Sequence, residues 1–179
     1  MTTREKILQE TENFILKNGI EKLTISKIAK KLNISQPAIY KHFKNKEELL
    51  TVLALRFLNE QTLSAIFPFD TTNYTQKVDI IHDWLWAVAS AKFYAHQETP
   101  EMFALYTTYV SENQALSQEH ILEMVQSLQS AAALSKPEQA GALIQAFAYF
   151  HHPKVAPQWD NSFQEQFENV WSLIKKNFE

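Results

Sequence analysis

Only two of the 179 residues are glycine, Gly19 and Gly141, and this scarcity restricts the fold more than any other feature. Antiparallel sheets place glycine at the positive-φ positions of hairpins and at bulges, so a sheet-rich chain of this size needs several. A nearly all-helical fold is expected instead. Two isolated glycines also exclude Gly-rich phosphate loops and dinucleotide fingerprints, which need closely spaced glycines. The chain has no cysteine, which removes disulfide frameworks, thiolate zinc sites and cysteine nucleophiles. With 45% hydrophobic and 21% charged residues it has the composition of a packed protein, not a disordered one. The polar start Met1-Thr2-Thr3-Arg4-Glu5-Lys6 does not read as a signal peptide, and no apolar run approaches the roughly 18 residues of a membrane span. A cytoplasmic protein with no membrane partner is the expectation.

Charge is divided unevenly along the chain. Residues 1–50 hold ten basic and six acidic side chains, a net of +4, whereas residues 51–179 hold seven basic and fourteen acidic, a net of −7. A basic segment joined to an acidic body suits a small nucleic-acid-binding module attached to something else. The same balance also fits an ordinary solvated surface.

Periodicity supplies the elements. A first helix is expected over about Thr3–Lys17, with Ile7, Leu8, Phe14 and Ile15 on one face and Gly19 after its last turn. Thr24 caps a second helix with Ile25, Ile28, Ala29 and Leu32 inward, and Asn33 ends it in a left-handed conformation. Ser35 caps a third, over Gln36–Phe43, with Pro37 in its first turn. Asn45 and Glu48 form the capping box of a fourth, which is expected to run from about Lys46 to Phe67.

Two short helices joined by a tight turn make a helix-turn-helix, whose second helix enters the major groove by its N-terminus. Gln36, Ala38, Lys41 and His42 are expected outward, and Ile39 and Phe43 inward. Gln36 carries a donor and an acceptor that match the edge of adenine. Tyr40, Lys41, His42, Lys44 and Lys46 offer donors to phosphates.

Residues 23–50 carry a more specific pattern: Thr24 and Ile28-Ala29, then Tyr40-Lys41-His42-Phe43, then Asn45-Lys46-Glu47-Glu48-Leu49. This stretch resembles the N-terminal DNA-binding domain of the TetR family of transcriptional regulators, and the resemblance extends over about residues 4–56. It implies that Gln36 and Pro37 face bases and that Thr24, Ser35, Tyr40, His42 and Lys46 hold phosphates. Ser26, Lys27, Ala38 and Lys41 complete the candidate DNA-binding set. Serine at 26 cannot make the bidentate contact to guanine that an arginine makes at the matching position in one member of the family. Asn33 stands where the family usually has glycine. Thr11 stands where alanine is common, so its hydroxyl must bond back along the helix.

Five further helices are expected, over about Gln76–His96, Glu101–Asn113, Ser117–Leu134, Pro137–His151 and Ser162–Phe178, with breaks at the prolines between them. The middle helices are rich in aromatic residues with polar neighbours. His82, Trp84, Trp86, Phe93, Phe103, Tyr106 and Tyr109 are the candidate lining of a pocket for a small apolar or aromatic ligand. An ordinary core has the same composition. Leu143, Phe147, Phe150, Phe163, Phe167, Val170, Trp171 and Ile174 form apolar stripes on the last two helices. They suit a four-helix dimer interface, the arrangement that the resemblance implies, or else the closing of the monomer's own core.

Catalysis finds no support. Ser90, Ser111 and Ser127 have no activating partners. The pair Asp79 and His82 falls short of a helical metal site, His151 and His152 read as a helix end, and His120 reads as part of a solvated helix. Neither a metal nor a cofactor is expected. The fold expected is all-α, with a helix-turn-helix DNA-binding domain at residues 1–46, the start of a linking helix to about 56, and a helical ligand-binding and dimerisation domain at 47–179. The function expected is a homodimeric repressor, not an enzyme, that leaves a pseudo-palindromic double-stranded operator when a small-molecule inducer binds. The alternatives are a regulator without such an inducer, controlled by a protein or acting as an activator, and a helical scaffold that has lost DNA binding.

Overall fold

The computed structural model describes residues 1–178, and among them there is no β-strand. The nine α-helices among the described residues are α1 (Thr3–Asn18), α2 (Ile25–Leu32), α3 (Gln36–Tyr40), α4 (Lys46–Arg56), α5 (Lys77–Glu98), α6 (Pro100–Tyr106), α7 (Gln114–Ala131), α8 (Pro137–Ala146) and α9 (Phe163–Ile174). No helix among the described residues is long and apolar enough to cross a membrane.

Local signals set most boundaries. Thr2 and Glu5 cap α1 reciprocally, satisfying two of its free amides. The hydroxyl of Thr11 donates to the Ile7 carbonyl at 2.7 Å, the bond back along the helix that a buried threonine requires. Asn33 ends α2 in the left-handed region at φ 52°, ψ 44°. Gly19 also has a positive φ of 81°, but its ψ of 154° is extended, so it redirects the chain instead of forming the left-handed cap expected. Asn45 accepts from the Glu48 amide at 2.8 Å. The Glu48 carboxylate, however, takes the amide of Lys44 and leaves that of Asn45, so the expected box is only half made.

Five expected helices are shorter in the structure: α8 ends at Ala146 instead of His151, α9 at Ile174 instead of Phe178, and three others stop early as well. α3 stops at Tyr40 instead of Phe43, because the amides of His42 and Phe43 both turn to the Ile39 carbonyl. α4 stops at Arg56 and continues as a π-helical segment, Phe57–Thr62, instead of running to Phe67. α6 likewise passes into a π segment, Thr107–Ser111. In both segments a threonine hydroxyl competes for a backbone carbonyl: Thr62 for that of Phe57 and Thr107 for that of Phe103.

Helices α1–α4 enclose a core of Ile7, Ile15, Leu23, Ile28, Ile39, Phe43, Leu49 and Leu53, each at most 1% exposed. α6 packs against α1 and α4 on one side and α5 on the other. α5 is the axis of the remaining half, with α7 on one flank and the aromatic residues of α9 on another. One polar contact reinforces the first of these junctions. The Glu12 carboxylate on α1 takes the Arg56 guanidinium and, at 2.9 Å, the amide of Gln61. The side chains of the ion pair are only 15% and 9% exposed.

Replacing one partner strands the other charge in a poorly hydrated place. Glu12→Gln is expected to lower the unfolding free energy by about 2–4 kcal/mol, measured by urea denaturation, and the double variant Glu12→Gln/Arg56→Met should recover part of the loss.

Candidate functional site

The eleven candidate DNA-binding residues share one part of the surface. Thr24, Ser26 and Lys27 lie at the start of α2, Ser35 to Tyr40 along α3, Lys41 and His42 just beyond it, and Lys46 at the start of α4. All are exposed except Ala38 and Lys46, which are half-buried. On the opposite side of α3, Ile39 and Phe43 are buried at 0% and 1%, so the short helix is held by its inward residues and its polar ones are free. The Thr24 and Ser35 hydroxyl oxygens each accept a backbone N–H, from Lys27 and Ala38 respectively, at 3.3 Å. Their own O–H groups remain available as donors. Lys46 reaches the Leu23 carbonyl at 2.8 Å and ties the start of α4 to the start of α2. Lys27 is held by the Lys22 carbonyl at 2.8 Å. Arg4 adds a positive charge that the sequence analysis did not assign to this region: its guanidinium sits 5.0 Å from the centre of the Phe43 ring.

The seven aromatic and imidazole residues read as a pocket lining are not brought together. Trp84 is fully buried, donates from its indole to Ser127 at 3.0 Å and stacks on Phe67. His82 lies between Asp83, at 2.6 Å, and Glu168, at 3.2 Å. Trp86 and Phe93 pack on Phe163 of α9, and Phe103 on Trp159 and His96. Tyr109 lines a groove with Lys46, Glu47 and Thr51 of α4. Only Tyr106 reaches the polar cavity described next. Trp86 and Phe93 are half-buried beside a cleft with Tyr94 and Phe163, and Phe103 borders another with His96 and Thr107, whereas Trp84 is core, the alternative that composition left open. The same holds for six of the eight interface candidates: Leu143, Phe147, Phe150, Phe163, Phe167 and Trp171 are buried within the single chain, while Val170 and Ile174 are half-buried.

The cavity lies among α5, α6, α7 and the segment after α8, lined by Lys92, Tyr106, Val110, Ser111, Ser117, His120, Ile121, His151, His152 and Pro153. Lys92 is 1% exposed. Its ammonium nitrogen is 3.1 Å from the Tyr106 hydroxyl and 3.0 Å from Nε2 of His120. With Lys92 as donor, Nε2 accepts and the imidazole proton sits on Nδ1, a buried atom with no hydrogen-bond partner. His151 reaches the Ile144 carbonyl at 2.9 Å and so closes the end of α8, the role its sequence position suggested. Among the described residues no carboxylate lines the cavity. Burial without a counter-charge pushes Lys92 down to about 7. Burial, and then the neighbouring Lys92, hold His120 well below the usual histidine range and bring His151 down to about 4.

Lys92 and His120 were missed as site residues, and the placing of His120 on a solvated helix is corrected: it is 7% exposed. Spacing contained the signal. Ile81, Trp84, Leu85, Val88, Ala89 and Lys92 form one helical stripe, and a lysine within such a stripe must be buried or reach past its end. His120, Met124 and Leu128 repeat at intervals of four on the buried side of α7.

The buried base ties stability to pH. Between about 7 and 10 the unfolded chain binds a proton at Lys92 that the folded chain does not, so stability rises with pH over that window. Below pH 6.5 the same argument applies to His120 and His151, and above 10 the raised Tyr106 reverses the trend. Lys92→Met is expected to raise stability at pH 7 and to flatten the rise between pH 7 and 10, measured by denaturant unfolding of both proteins at several pH values.

Comparison with known proteins agrees with these features. Residues 7–53 match the family described as bacterial regulatory proteins, tetR family, and residues 79–171 match the tetracyclin repressor-like C-terminal domain. The class D tetracycline repressor of Escherichia coli is 42% identical over 55 residues, which cover 31% of this chain and 25% of the repressor. An HTH-type transcriptional regulator of Haemophilus influenzae is 34% identical over 68 residues, covering 38% of this chain and 36% of the regulator. The chain thus aligns with only about a quarter to a third of these relatives' length. Two solved structures share the fold over nearly the whole chain. BioQ with its double-stranded DNA operator has a TM-score of 0.61 at 17% identity, covering 98% of this chain and 99% of BioQ. TetR from Acinetobacter baumannii with minocycline has a TM-score of 0.58 at 14% identity, covering 100% and 99%. With one matched segment on the helix-turn-helix and the other spanning more than half of the chain, this protein belongs to the TetR family of bacterial regulators.

Proposed function

We propose that the chain is a homodimeric repressor that binds a pseudo-palindromic double-stranded operator through α2 and α3 and leaves it when a small molecule binds among α5–α7. The observation that carries the DNA half is the division of labour over α3 and the turn after it: Ile39 and Phe43 are fully buried, and the polar residues between and beside them are exposed. Residues 1–46 form the DNA-binding domain in this reading, and residues 47–179 the effector and dimerisation domain. The neighbours support it by their own states, since one was solved on an operator and another with minocycline bound.

Release needs a connection between the two halves, and α6 supplies one. Its continuation places Val110 and Ser111 at the Lys92 cavity and Thr108 and Tyr109 in the groove with Lys46, Glu47 and Thr51 of α4. An occupant that favours another position of this turn shifts α4 and, through Lys46 and Leu23, the setting of α2 and α3. Only a ligand with unequal affinity for the two arrangements can do so.

Dimerisation is required because one five-residue α3 reads too few bases, whereas a two-fold dimer reads half-sites about 34–36 Å apart. With most of the apolar residues of α8 and α9 already covered within the chain, the proposed contact surface is the outer side of α9. There Leu173 is 80% exposed beside Val170 and Ile174.

Fluorescence anisotropy with DNA from upstream of the protein's own gene, titrated over salt, tests the first half. Gln36→Ala should lose about 1–3 kcal/mol of discrimination between the operator and its variants, while Tyr40→Phe should weaken all sequences evenly. Absence of any preference, there and in a random-sequence selection, would favour the scaffold. Leu173→Glu should shift the protein to monomer on sedimentation and lower operator affinity without changing the helical circular dichroism.

A further inference from the structure

We propose that the cavity among α5, α6 and α7 binds the carboxylate of a small organic acid, with Lys92 and His120 as its anchors, and that this acid is the effector. The proposal rests on the effector-released reading above and specifies the chemistry of its ligand.

The donor set points to an anion. Lys92 and Tyr106 are each at most 2% exposed, and an ammonium, a phenol and an imidazole meet within 3.1 Å of the Lys92 nitrogen. Ser111 and Ser117 add two hydroxyls to the lining, and among the described residues no acid lines the cavity to balance the lysine. The nearby Glu112 is taken by Lys154 at 3.4 Å. A buried cation without a counter-ion is costly unless an anion enters or the proton leaves. Burial lowers the basicity of Lys92, and Nδ1 of His120 has no partner, so both groups gain from an entering anion. An entering carboxylate accepts from the ammonium with one oxygen and from an imidazole N–H or a serine hydroxyl with the other.

Size restricts the ligand. The cavity has a volume of about 30 Å³. That is room for a few waters or one carboxylate with a short chain. It is too narrow for a drug-sized molecule, whose pockets run to roughly 300–1,000 Å³. Ile121, 42% exposed, and the exposed His152 form the mouth, and Val110, Ile121 and Pro153 offer apolar contact to a short alkyl tail.

The charged state of Lys92 makes binding proton-linked. Around the nitrogen, α6 presents Tyr106, α7 presents His120, and the segment after α8 presents His151, His152 and, farther out, Lys154. An anion favours the protonated lysine, so it is taken up together with a proton above pH 7.

Isothermal titration of the full chain with acetate, butyrate, succinate and inorganic phosphate, in two buffers of different ionisation heat at pH 8, tests the site without DNA. Saturable binding of a carboxylate with proton uptake, weakened at least tenfold in Lys92→Met and several-fold in Tyr106→Phe, is the expected result. Circular dichroism and thermal unfolding of both variants check that they are folded. Binding of none of the carboxylates, equal binding by folded Lys92→Met, or binding of phosphate alone would overturn the proposal. The bound acid is then added to the protein on operator DNA. Release by wild type and not by Lys92→Met supports the effector role, and binding without release overturns that role while the calorimetry still stands for the site. A protein that never binds DNA fails the functional reading instead, and the titration distinguishes that case.

Discussion

A helix of seven residues joins the two halves of this molecule by being buried on every side that matters. Met102, Phe103, Leu105 and Tyr106 of α6 are each at most 3% exposed, and they face α1 and α4 in one direction and α5 in the other. Close-packed side chains do not deform gradually, so a displacement on one side of such a helix is transmitted or resisted as a unit. The ion pair of Glu12 with Arg56 works at the same junction, pinning α1 to the end of α4. The N-terminal helices are thus mounted on the rest of the chain through apolar packing and one charged tie.

The Lys92 cavity stands against that economy. Several buried polar groups are satisfied by a nearby carbonyl, as Thr11 is by Ile7 and His151 by Ile144. At Lys92 an ammonium, a phenol and an imidazole meet without a carboxylate. A methionine or leucine in its place would stabilise the fold. A destabilising group in a core is an argument for use.

What the sequence made readable divides along the same line. The N-terminal helices were nearly complete from local rules: Thr24, Ser35 and Asn45 as caps, Asn33 as a left-handed stop and Pro37 in the first turn each hold. Here short helices carry their boundaries within them. The second half defeated the same reasoning in two ways. Apolar spacing marks Phe147, Phe163 and Phe167 as inward without saying whether the covering surface is the chain's own or a second copy's, and it is the chain's own. Aromatic composition suggested a pocket, yet the cavity is lined by cationic and hydroxyl groups that spacing would have placed in the core had Lys92 been read with its apolar neighbours. The π segments after α4 and α6 were out of reach: each contains a threonine hydroxyl on a carbonyl four or five residues back, but so does the regular α1 at Thr11.

The separation of duties along α3 has a further consequence. Its fold rests on Ile39, Phe43 and the Ser35 cap, whereas Gln36, Pro37, Lys41 and His42 carry almost none of the packing. Replacement at these outward positions changes what the surface recognises at little cost to the core beneath, because surface exchanges usually alter stability by no more than about 0.5 kcal/mol. A lineage built on such a helix can drift from one set of targets to another through folded intermediates. The inward pair, by contrast, is closed to drift, since any change there is felt first as loss of the helix itself.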